Sequence, residues 1–452
     1  MLAHPKTAVR RGRVEYVVIL AVVAAVGFLL VSGLASAQVA GRSAGFAGGS
    51  FATPPPPTAS KNITVGKEPT GVAYDPASNL IFVTNYGSAT VSVISGTAVV
   101  KTLHIGKDPE TIIYDPKNTL LYTVNSGSSN VSVINGTTEK VIGTISGFAT
   151  LFPVTVYDPS NGAVYLFSHS GISGASTMYR LPTSTPWTFT SIRLGDYSDY
   201  ATYDPATTDV VVSNELSSNL SIVNSASNAV STIALKSGSF PGNSVYNPTN
   251  KDVYIVNEGN LGIAYKSGNV TVVGSANTVV KTVSVAPHPI TIALNPNNHD
   301  VYVLNVTIGS VGYSTNCTVT PITSGNSAKK AIPVGNGAYY SVYDPNNNEM
   351  YVTESKSNVT AIISGTTLLT TLTTKGNPQA AAYDPGTTDM ILVQGTASKS
   401  PGQLTLVSSP TSGKPAIVGT QVVGDDPTSY AYDPSNMDAY VSNYNSKSVT
   451  EF

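Results

Sequence analysis

Apolar and polar residues alternate in short runs along most of this chain. In one representative stretch, Leu80 to Thr84 is mainly apolar, and after a polar break the residues from Val91 to Ile94 alternate with a period of two. A period of two predicts β-strands with one buried face, and clusters of Gly, Asn, Ser and Pro between the runs predict tight turns. The pattern therefore predicts many short antiparallel strands and very little helix.

One tripeptide, Tyr-Asp-Pro, recurs through the chain and divides it into repeats. Its Asp is suited to accept hydrogen bonds from turn amides and its Pro presets φ, so each copy predicts a hairpin turn. The spacing between successive copies is 40 to 49 residues, which is the period of a four-stranded propeller blade. The seven copies begin at Tyr74, Tyr114, Tyr157, Tyr203, Tyr343, Tyr383 and Tyr432, and weaker copies begin at Tyr246 and Leu294.

The two ends of the repeat region complement each other. The ninth repeat stops after its third strand, near Val449, whereas the region opens with an unattached strand around Ile63. Pairing these strands would complete the last blade and remove two open edges. We therefore predict an all-β fold, a single nine-bladed β-propeller of four-stranded antiparallel blades, with an eight-bladed ring or an open array as alternatives. Longer insertions are predicted at residues 170–177, 259–268, 307–315 and 397–402.

The composition bears on which partners the chain binds and on how its fold is stabilised. Only 11% of residues are charged and the formal net charge is −2, so we expect no nucleic-acid partner. Cys317 is the single cysteine, which excludes an intrachain disulfide, and its position in a predicted strand predicts a small buried side chain. We likewise expect Trp187, the single tryptophan, to be a packing residue near a turn.

The first 37 residues have the pattern of an export signal. Basic residues precede an apolar run, and Ala35-Ser36-Ala37 matches a peptidase site. The apolar stretch at 17–34 is also just long enough for an uncleaved membrane anchor. Both alternatives predict an extracytoplasmic chain, either secreted or anchored at the cell surface. The Gly- and Pro-rich residues 38–60 predict a linker, and 61–452 the propeller.

The repeat resembles a known family. The succession of Tyr-Asp-Pro, Ile-Phe-Val-Thr-Asn and Val-Ser-Val-Ile-Ser-Gly-Thr, with near matches at Tyr351-Val352-Thr353-Glu354 and Tyr440-Val441-Ser442-Asn443, is similar to the YVTN-type β-propeller repeat. The resemblance covers residues 61–452. It implies a propeller of the kind found in surface-layer and secreted proteins, and it leaves activity open, since similar propellers include surface modules, lactonase-like enzymes and cofactor-dependent dehydrogenases.

Candidate ligand-binding residues lie in the loops of the predicted upper face, where the copies of the repeat differ. Oxygen ligands of this kind suit Ca²⁺ or a polar ligand such as a glycan, and the alternative is a solvated rim. The Asp residues of the Tyr-Asp-Pro turns are interpreted as turn caps. The candidates are Glu68, Asp108, Glu110, Asp196, Glu215, Glu258, Glu354 and Asp426, with Asp199, Asp425 and His288 in the same loops.

Signals of catalysis are few. The histidines show no pair at metal-ligand spacing, and no nucleophile elbow, phosphate loop or HExxH sequence occurs, so we assign no catalytic residue and expect no cofactor apart from possible Ca²⁺. A quinone cofactor is disfavoured because only one tryptophan is available to stack on it. Glycosylation is predicted from the acceptor sequences at Asn62, Asn130, Asn135, Asn219, Asn269, Asn305 and Asn358.

Two function classes follow from these observations. The first is a structural, adhesive or ligand-binding module at the cell surface, whose partners are glycans or neighbouring surface proteins, because exposed Ser, Thr and Asn favour hydrogen bonding. The second is an exported lactonase-like or other hydrolase with a cation at the top of the channel. Convergence of upper-face carboxylates from several blades would distinguish the two.

Overall fold

The fold is a closed ring of nine antiparallel sheets, a nine-bladed β-propeller. The structure is a computed structural model that describes residues 61–168, 174–259, 268–308, 314–384, 387–395, 401–433, 436 and 438–452. The nine-blade prediction is confirmed, and the eight-bladed and open alternatives are wrong. The export segment and the linker lie outside the described residues. Within the described ranges, no helix is long and apolar enough to cross a membrane.

Each blade, numbered 1 to 9 from β2 onward, runs from an inner strand beside the channel to an outer strand at the rim. The inner strands are β2 (Pro69–Asp75), β6 (Pro109–Asp115), β10 (Phe152–Asp158), β14 (Ser198–Asp204), β18 (Pro241–Asn247), β22 (Pro289–Leu294), β27 (Ala338–Asp344), β31 (Asn377–Asp384) and β35 (Pro427–Asp433). The second strands are β3 (Leu80–Asn85), β7 (Leu120–Asn125), β11 (Ala163–Ser168), β15 (Asp209–Asn214), β19 (Asp252–Asn257), β23 (Val301–Ile308), β28 (Glu349–Glu354), β32 (Asp389–Gly395) and β36 (Asp438–Asn443).

The outer half of each blade completes the sheet. The third strands are β4 (Thr90–Ser95), β8 (Asn130–Asn135), β12 (Ala175–Arg180), β16 (Asn219–Asn224), β20 (Gly268–Gly274), β24 (Ser314–Thr323), β29 (Val359–Ser364), β33 (Pro401–Val407) and β37 (Ser448–Glu451). The outer strands are β5 (Ala98–His104), β9 (Lys140–Ser146), β13 (Thr190–Asp196), β17 (Val230–Ala234), β21 (Thr278–Val285), β25 (Ser327–Ala328) with β26 (Ile332–Pro333), β30 (Thr367–Thr373), β34 (Ile417–Asp425) and, for blade 9, β1 (Lys61–Thr64). Short 3-10 turns occur at Tyr86–Ser88 and Ser126–Ser128.

The first and last strands of the described chain close the ring together. β1 pairs antiparallel with β37, and Ile63 lies opposite Val449 as the sequence predicted. The Thr428 hydroxyl of blade 9 also donates a hydrogen bond to the Pro69 carbonyl of blade 1 at 3.2 Å. Ile63 and Val449 are buried, at 4% and 0% exposure, so the closure is apolar as well as hydrogen-bonded.

The hydrophobic core lies between the blades. A cluster of buried side chains fills each of the nine interfaces between neighbouring sheets. The cluster between blades 9 and 1, for example, joins Val449 and Tyr440 to Val83 and Ile94. Because both faces of each sheet are covered, even the second strands are apolar on both sides, which explains the near-continuous runs in the sequence.

The Tyr-Asp-Pro motif has two structural roles. The Asp caps its own turn on the lower face: Asp115 Oδ1 accepts the Lys117 backbone N–H at 2.9 Å. The tyrosine of the next blade donates to that same carboxylate, since the Tyr157 hydroxyl lies 3.0 Å from Asp115 Oδ1. The turn-cap interpretation is confirmed, and the tyrosine of this copy also ties its blade to the previous one.

Replacing Tyr157 with Phe is expected to lower the free energy of unfolding by about 1–2 kcal/mol, because a hydrogen bond to a charged group is lost from a partly buried position. The matched control is Tyr343→Phe, whose hydroxyl donates within its own exposed turn to Asn348 at 2.7 Å. We expect a smaller loss for this control in denaturant unfolding. Equal losses would show that the bond between blades has no special role.

The structure also bears on the predicted insertions and on the predicted burial of the single cysteine and the single tryptophan. The predicted insertion at 307–315 does not begin as a loop, because β23 and β24 continue pairing as far as Ile308 and Ser314. The other predicted insertions fall partly outside the described residues. Cys317 is fully buried on β24, as predicted. Trp187 packs against the cluster between blades 2 and 3, which confirms its packing role.

Candidate functional site

The upper-face loops are held in one repeating arrangement. In six blades the residue before the inner strand has a positive φ, and its carbonyl accepts the backbone N–H of the first residue in the loop between strands two and three. In blade 6 the His288 carbonyl makes the same bond with the N–H of Val306, which lies within β23. In blade 4, for example, the Glu215 N–H donates to the Tyr197 carbonyl at 2.9 Å, and in blade 5 the Glu258 N–H donates to the Phe240 carbonyl at 3.0 Å. Glu215 and Glu258 therefore occupy equivalent positions in neighbouring blades.

An amide side chain at the end of the second strand fixes the same loops. Asn125 Nδ2 donates to Asn130 Oδ1 at 2.8 Å and to Ser132 Oγ at 3.0 Å, so it clamps the start of the third strand. The same clamp is made by Asn85, Asn214, Asn257, Asn305 and Asn443. The Asn residues after the second strands are thus structural.

Several predicted ligand carboxylates are engaged in local structure. Glu354 occupies a clamp position, and its carboxylate accepts the Gly335 N–H at 2.7 Å and the Ser357 hydroxyl at 2.7 Å. Glu110 accepts the Ser126 hydroxyl at 2.5 Å. These side chains support loops of the upper face, and they do not converge with the acidic residues of blades 4 and 5 described below.

The remaining candidates are spread around the ring. Glu68, Asp108 and Asp426 hold the positive-φ position before an inner strand, in blades 1, 2 and 9 respectively. Asp196 ends β13, where its N–H is bonded to the Ser217 hydroxyl at 2.9 Å. The eight candidate carboxylates therefore lie in several different blades of the ring.

One group of acidic and aromatic side chains does come together at the upper mouth of the channel. We call Asp199, Tyr200, Glu215, Glu258 and Tyr339 the mouth cluster. Burial raises the pKa of the Asp199 carboxyl to about 7, with Glu215 adding repulsion. Burial, followed by repulsion from Glu215 and Asp199, raises the pKa of Glu258 well above its ordinary value. The three carboxyls therefore share one electrostatic environment.

The tyrosines show that this environment spans the channel. Burial raises the pKa of the Tyr200 hydroxyl, and the charges of Glu258 and Asp199 add to the shift. Glu258 likewise adds to the burial that raises the pKa of Tyr339. Tyr339 belongs to blade 7, which is adjacent to neither blade 4 nor blade 5, so the charge of Glu258 acts across the mouth of the channel.

A glycine creates the space for the Glu258 carboxyl. The second residue of the inner strand is Asp199 in blade 4 and Tyr339 in blade 7, but Gly242 in blade 5. A Cβ at Gly242 would lie 2.3 Å from Glu258 Oε1, so the carboxyl occupies the place of the absent side chain. Glu258 is only 8% exposed, and its Oε1 has no hydrogen-bond partner.

His288 borders the cluster from the loop before blade 6. It is 5% exposed, and burial lowers the pKa of its imidazole, while a hydrogen bond to the Glu258 backbone partly offsets that shift. The imidazole is therefore neutral at neutral pH. It positions the loop that carries Glu258 without adding a positive charge.

The carboxyls of the mouth cluster are not arranged as a metal centre. In the described parts of the chain, no three His, Cys, Asp or Glu side chains are grouped so that they could hold one metal ion. The cluster can instead accept several hydrogen bonds from one larger polar group.

The predicted glycosylation sites differ in accessibility. Asn305 is 2% exposed and acts as a clamp, so its side chain is inaccessible in the folded ring. Asn62 and Asn358 are exposed, and Asn135 caps a turn by accepting the Thr138 N–H at 2.8 Å. The side-chain oxygens of Asn130, Asn219 and Asn269 accept the clamp hydrogen bonds.

Sequence reasoning named the three acidic residues of the mouth cluster but missed its tyrosines. Aligning the repeats on the clamp Asn places Glu215 and Glu258 at the same position, a signal available in the sequence. Tyr200 and Tyr339 lie near the start of their inner strands, at the third and the second position respectively. Their meeting across the channel depends on ring geometry, which no local pattern contains.

Comparisons with known proteins agree on the fold. No protein-family profile and no curated protein matches the sequence. The dihydro-heme d1 dehydrogenase NirN, solved in complex with DHE, aligns with a TM-score of 0.57 at 11% identity over 81% of this chain and 78% of its own. Hydrazine synthase of Kuenenia stuttgartiensis aligns at 0.47, with 13% identity over 86% and 96%, and virginiamycin B lyase from Staphylococcus aureus at 0.42, with 9% identity over 65% and 95%. At these identities the likeness concerns the fold alone.

Proposed function

We propose that this chain is an exported propeller of the YVTN-repeat type that acts as a non-catalytic binding module at the cell surface. Its ligand site is the mouth cluster. The observation that carries the proposal is the Glu258 carboxyl, which is almost fully buried at the channel mouth with one oxygen unpartnered. A buried carboxyl in that state is destabilising on its own, and an incoming polar group would compensate for it.

The rest of the upper face suits a binding role. The repeated backbone bonds and Asn clamps hold the loops in place, so the cluster is preorganised and little ordering is required on binding. Low charge and many exposed Ser, Thr and Asn side chains also favour contacts with glycans or with neighbouring copies. Glycosylation at exposed sites such as Asn62 and Asn358 fits an exported chain.

A hydrolase is the second candidate, and one observation favours it. The pKa of Asp199 is raised to about 7, which suits a general acid or base at neutral pH, and Glu258 lies in the same electrostatic environment. An enzyme of this kind would use two carboxyls in different protonation states. No nucleophile with an activating base is evident beside them within the described residues.

A binding screen on the full-length protein tests the proposal. Neutral and acidic oligosaccharides, alkylamines and Ca²⁺ are added one at a time, and thermal shift and calorimetry are recorded for the wild type and for Glu258→Gln. We expect at least one compound to bind the wild type, with affinity at least tenfold weaker in the variant. If nothing binds, or if the variant binds equally well, the mouth cluster is not the ligand site. Turnover of ester, lactone or glycoside substrates that Asp199→Asn abolishes would instead establish the hydrolase.

A further inference from the structure

Arg180 occupies a strand position that is apolar in most of the other blades. It lies on the third strand β12, directly opposite Tyr165, which stands seven residues after the turn residue Asp158. A partly buried guanidinium at such a position is unfavourable unless a partner compensates its charge. In seven of the other eight blades the equivalent residues of the third strand are Val93, Val133, Ile222, Val272, Pro321, Ile362 and Leu406.

Blade 9 shows how the fold satisfies a charged side chain at this position. There the equivalent residue is Glu451, whose carboxylate accepts the Tyr440 hydroxyl at 3.1 Å. In blade 3, by contrast, Arg180 Nε is buried without a hydrogen-bond partner, and no carboxylate oxygen of the described residues lies within 4.0 Å of the guanidinium nitrogens. Burial raises the pKa of the neighbouring Tyr165 phenol, and the Arg180 charge only partly offsets that shift, so the phenol stays neutral. Arg180 therefore makes no ion pair within the described ranges.

Arg180 borders a pocket on the lower face, which we call the blade 3 pocket. The pocket has a volume of about 290 Å³ and is formed mainly by residues 181–189, which join β12 to β13. The same connection has only two to five residues in six other blades, so the pocket depends on the longer loop. None of the described residues that line it is acidic. Its polar walls, besides Arg180, are Asn161, Thr183, Ser184, Thr185 and Thr188.

The loop that forms the blade 3 pocket is fixed to the neighbouring blade. The Tyr122 hydroxyl of blade 2 donates to the Pro182 carbonyl at 3.2 Å. Trp187 lies against Gly143 of the outer strand of blade 2, so closely that a Cβ at this glycine would overlap the indole. The pocket is therefore preformed, and little ordering of the loop is required on binding.

We propose that the blade 3 pocket is a second ligand site, which binds a small acidic sugar of the hexuronic acid class through its carboxylate. The Arg180 guanidinium pairs with that carboxylate, and the hydroxyl and amide side chains of the walls form hydrogen bonds with the hydroxyls of the sugar. The site lies on the face of the ring opposite the mouth cluster and does not depend on it.

The chemistry of the pocket favours an acidic sugar over a phosphate or a neutral sugar. One guanidinium matches one carboxylate in charge, whereas a phosphate monoester carries nearly two negative charges at neutral pH. No second cationic residue is among the described residues that line the pocket, and Lys117 of the adjacent turn donates to the Ser160 carbonyl at 2.6 Å. A neutral sugar would leave the Arg180 charge uncompensated. The volume lies at the lower end of ligand pockets, about 300–1,000 Å³, and suits one sugar residue.

The test compares D-glucuronate with D-glucose on the full-length protein. The two sugars differ at C6, where one has a carboxylate and the other a hydroxymethyl group, so the pair isolates the charge. Acetate and inorganic phosphate are run in parallel, and binding is followed by saturation-transfer NMR and calorimetry. Arg180→Gln removes the charge, and Ser184→Trp fills the pocket from an exposed loop position. The matched control is Arg193→Gln, an exposed arginine on β13 of the same blade, outside the pocket.

We expect D-glucuronate to bind and D-glucose not to bind, with the dissociation constant for glucuronate at least tenfold higher in Arg180→Gln and Ser184→Trp and unchanged in Arg193→Gln. Glucose binding as tightly as glucuronate would overturn the role of the charge. Acetate binding as tightly would overturn the sugar, and phosphate binding more tightly would overturn the carboxylate. If no probe binds, the site itself is refuted.

Two further measurements separate the possible causes of a failure. Melting temperatures close to that of the wild type establish that the variants are folded, and Ser184→Trp keeps the test available if Arg180→Gln does not fold. Glucuronate is also titrated into Glu258→Gln, where we expect unchanged affinity because the two sites lie on opposite faces. Loss of glucuronate binding in Glu258→Gln would place the acidic sugar at the mouth cluster and overturn the second site, while the proposed binding function would stand.

Discussion

Replacing Val449 with Asp is expected to lower the free energy of unfolding by at least about 4 kcal/mol and to remove the cooperative transition of the whole ring. Val449 is fully buried opposite Ile63, so the new carboxyl would enter the apolar closure of blade 9 without a partner. Losing this pairing would also open an edge on β37 and expose the interface with blade 1. Denaturant unfolding followed by circular dichroism measures the effect.

The matched control is the same substitution at an exposed strand position. Val100 lies on the outer strand β5 and is 52% exposed, so Val100→Asp is expected to change stability by less than about 0.5 kcal/mol. Similar losses in the two variants would contradict the central role of the closure. Cooperative unfolding of Val449→Asp at the denaturant midpoint of the wild type would also contradict the central role of the closure.

Raising the pH from 5 to 8 is expected to destabilise the protein and to lower its melting temperature by about 5 °C or more. Burial raises the pKa of four carboxyls above their values in the unfolded chain: Asp199 and Glu349 to about 7, Asp389 to about 6, and Glu258 further. Between the two pKa values of each group, the folded state holds the proton and the unfolded state does not. Stability is therefore fully present below about pH 4 for these groups and is lost as the pH rises through the folded pKa.

His288 acts in the opposite direction but cannot cancel four carboxyls. Burial lowers its pKa, so it reduces stability only below about pH 6.5. Each pKa unit corresponds to about 1.4 kcal/mol, which makes the carboxyl contribution the larger one. Differential scanning calorimetry at constant ionic strength measures the slope, and Asp199→Asn with Glu349→Gln should reduce it because neither amide ionises. A melting temperature that is flat or that rises from pH 5 to 8 would contradict the prediction.

The fold was predictable because its determinants are local and repeated. Each Tyr-Asp-Pro copy specifies the same turn, and the spacing between copies specifies four strands. Even the long-range pairing of Ile63 with Val449 followed from the sequence, since each end lacked the strand that the other supplied. The second role of the tyrosine, its bond to the previous blade at Asp115, was not evident because it joins residues 42 positions apart.

The site was predicted only in part, for a physical reason. Whether a carboxylate is available to a ligand depends on hydrogen-bond donors that the local sequence does not reveal. The Glu354 carboxylate accepts the N–H of Gly335, 19 residues before it, and the Glu110 carboxylate accepts the hydroxyl of Ser126, 16 residues after it. Glu258, by contrast, occupies a space left by Gly242 and stays unpartnered at one oxygen. Sequence reasoning named acidic side chains in the upper-face loops, and the geometry of the ring determines which of them lie near one another.

Blade 9 contains both the first and the last strand, so it can form only after the other blades have been synthesised. Eight blades are each made from one continuous segment and can form as the polypeptide emerges, but blade 9 waits for β37 to be synthesised, more than 380 residues after β1. Until then β1 and the blade 1 side of its core have no covering strand. A secreted chain of this design would reach the far side of the membrane as an unsealed arc, so protection of that arc from proteases and from self-association would be needed until translocation is complete.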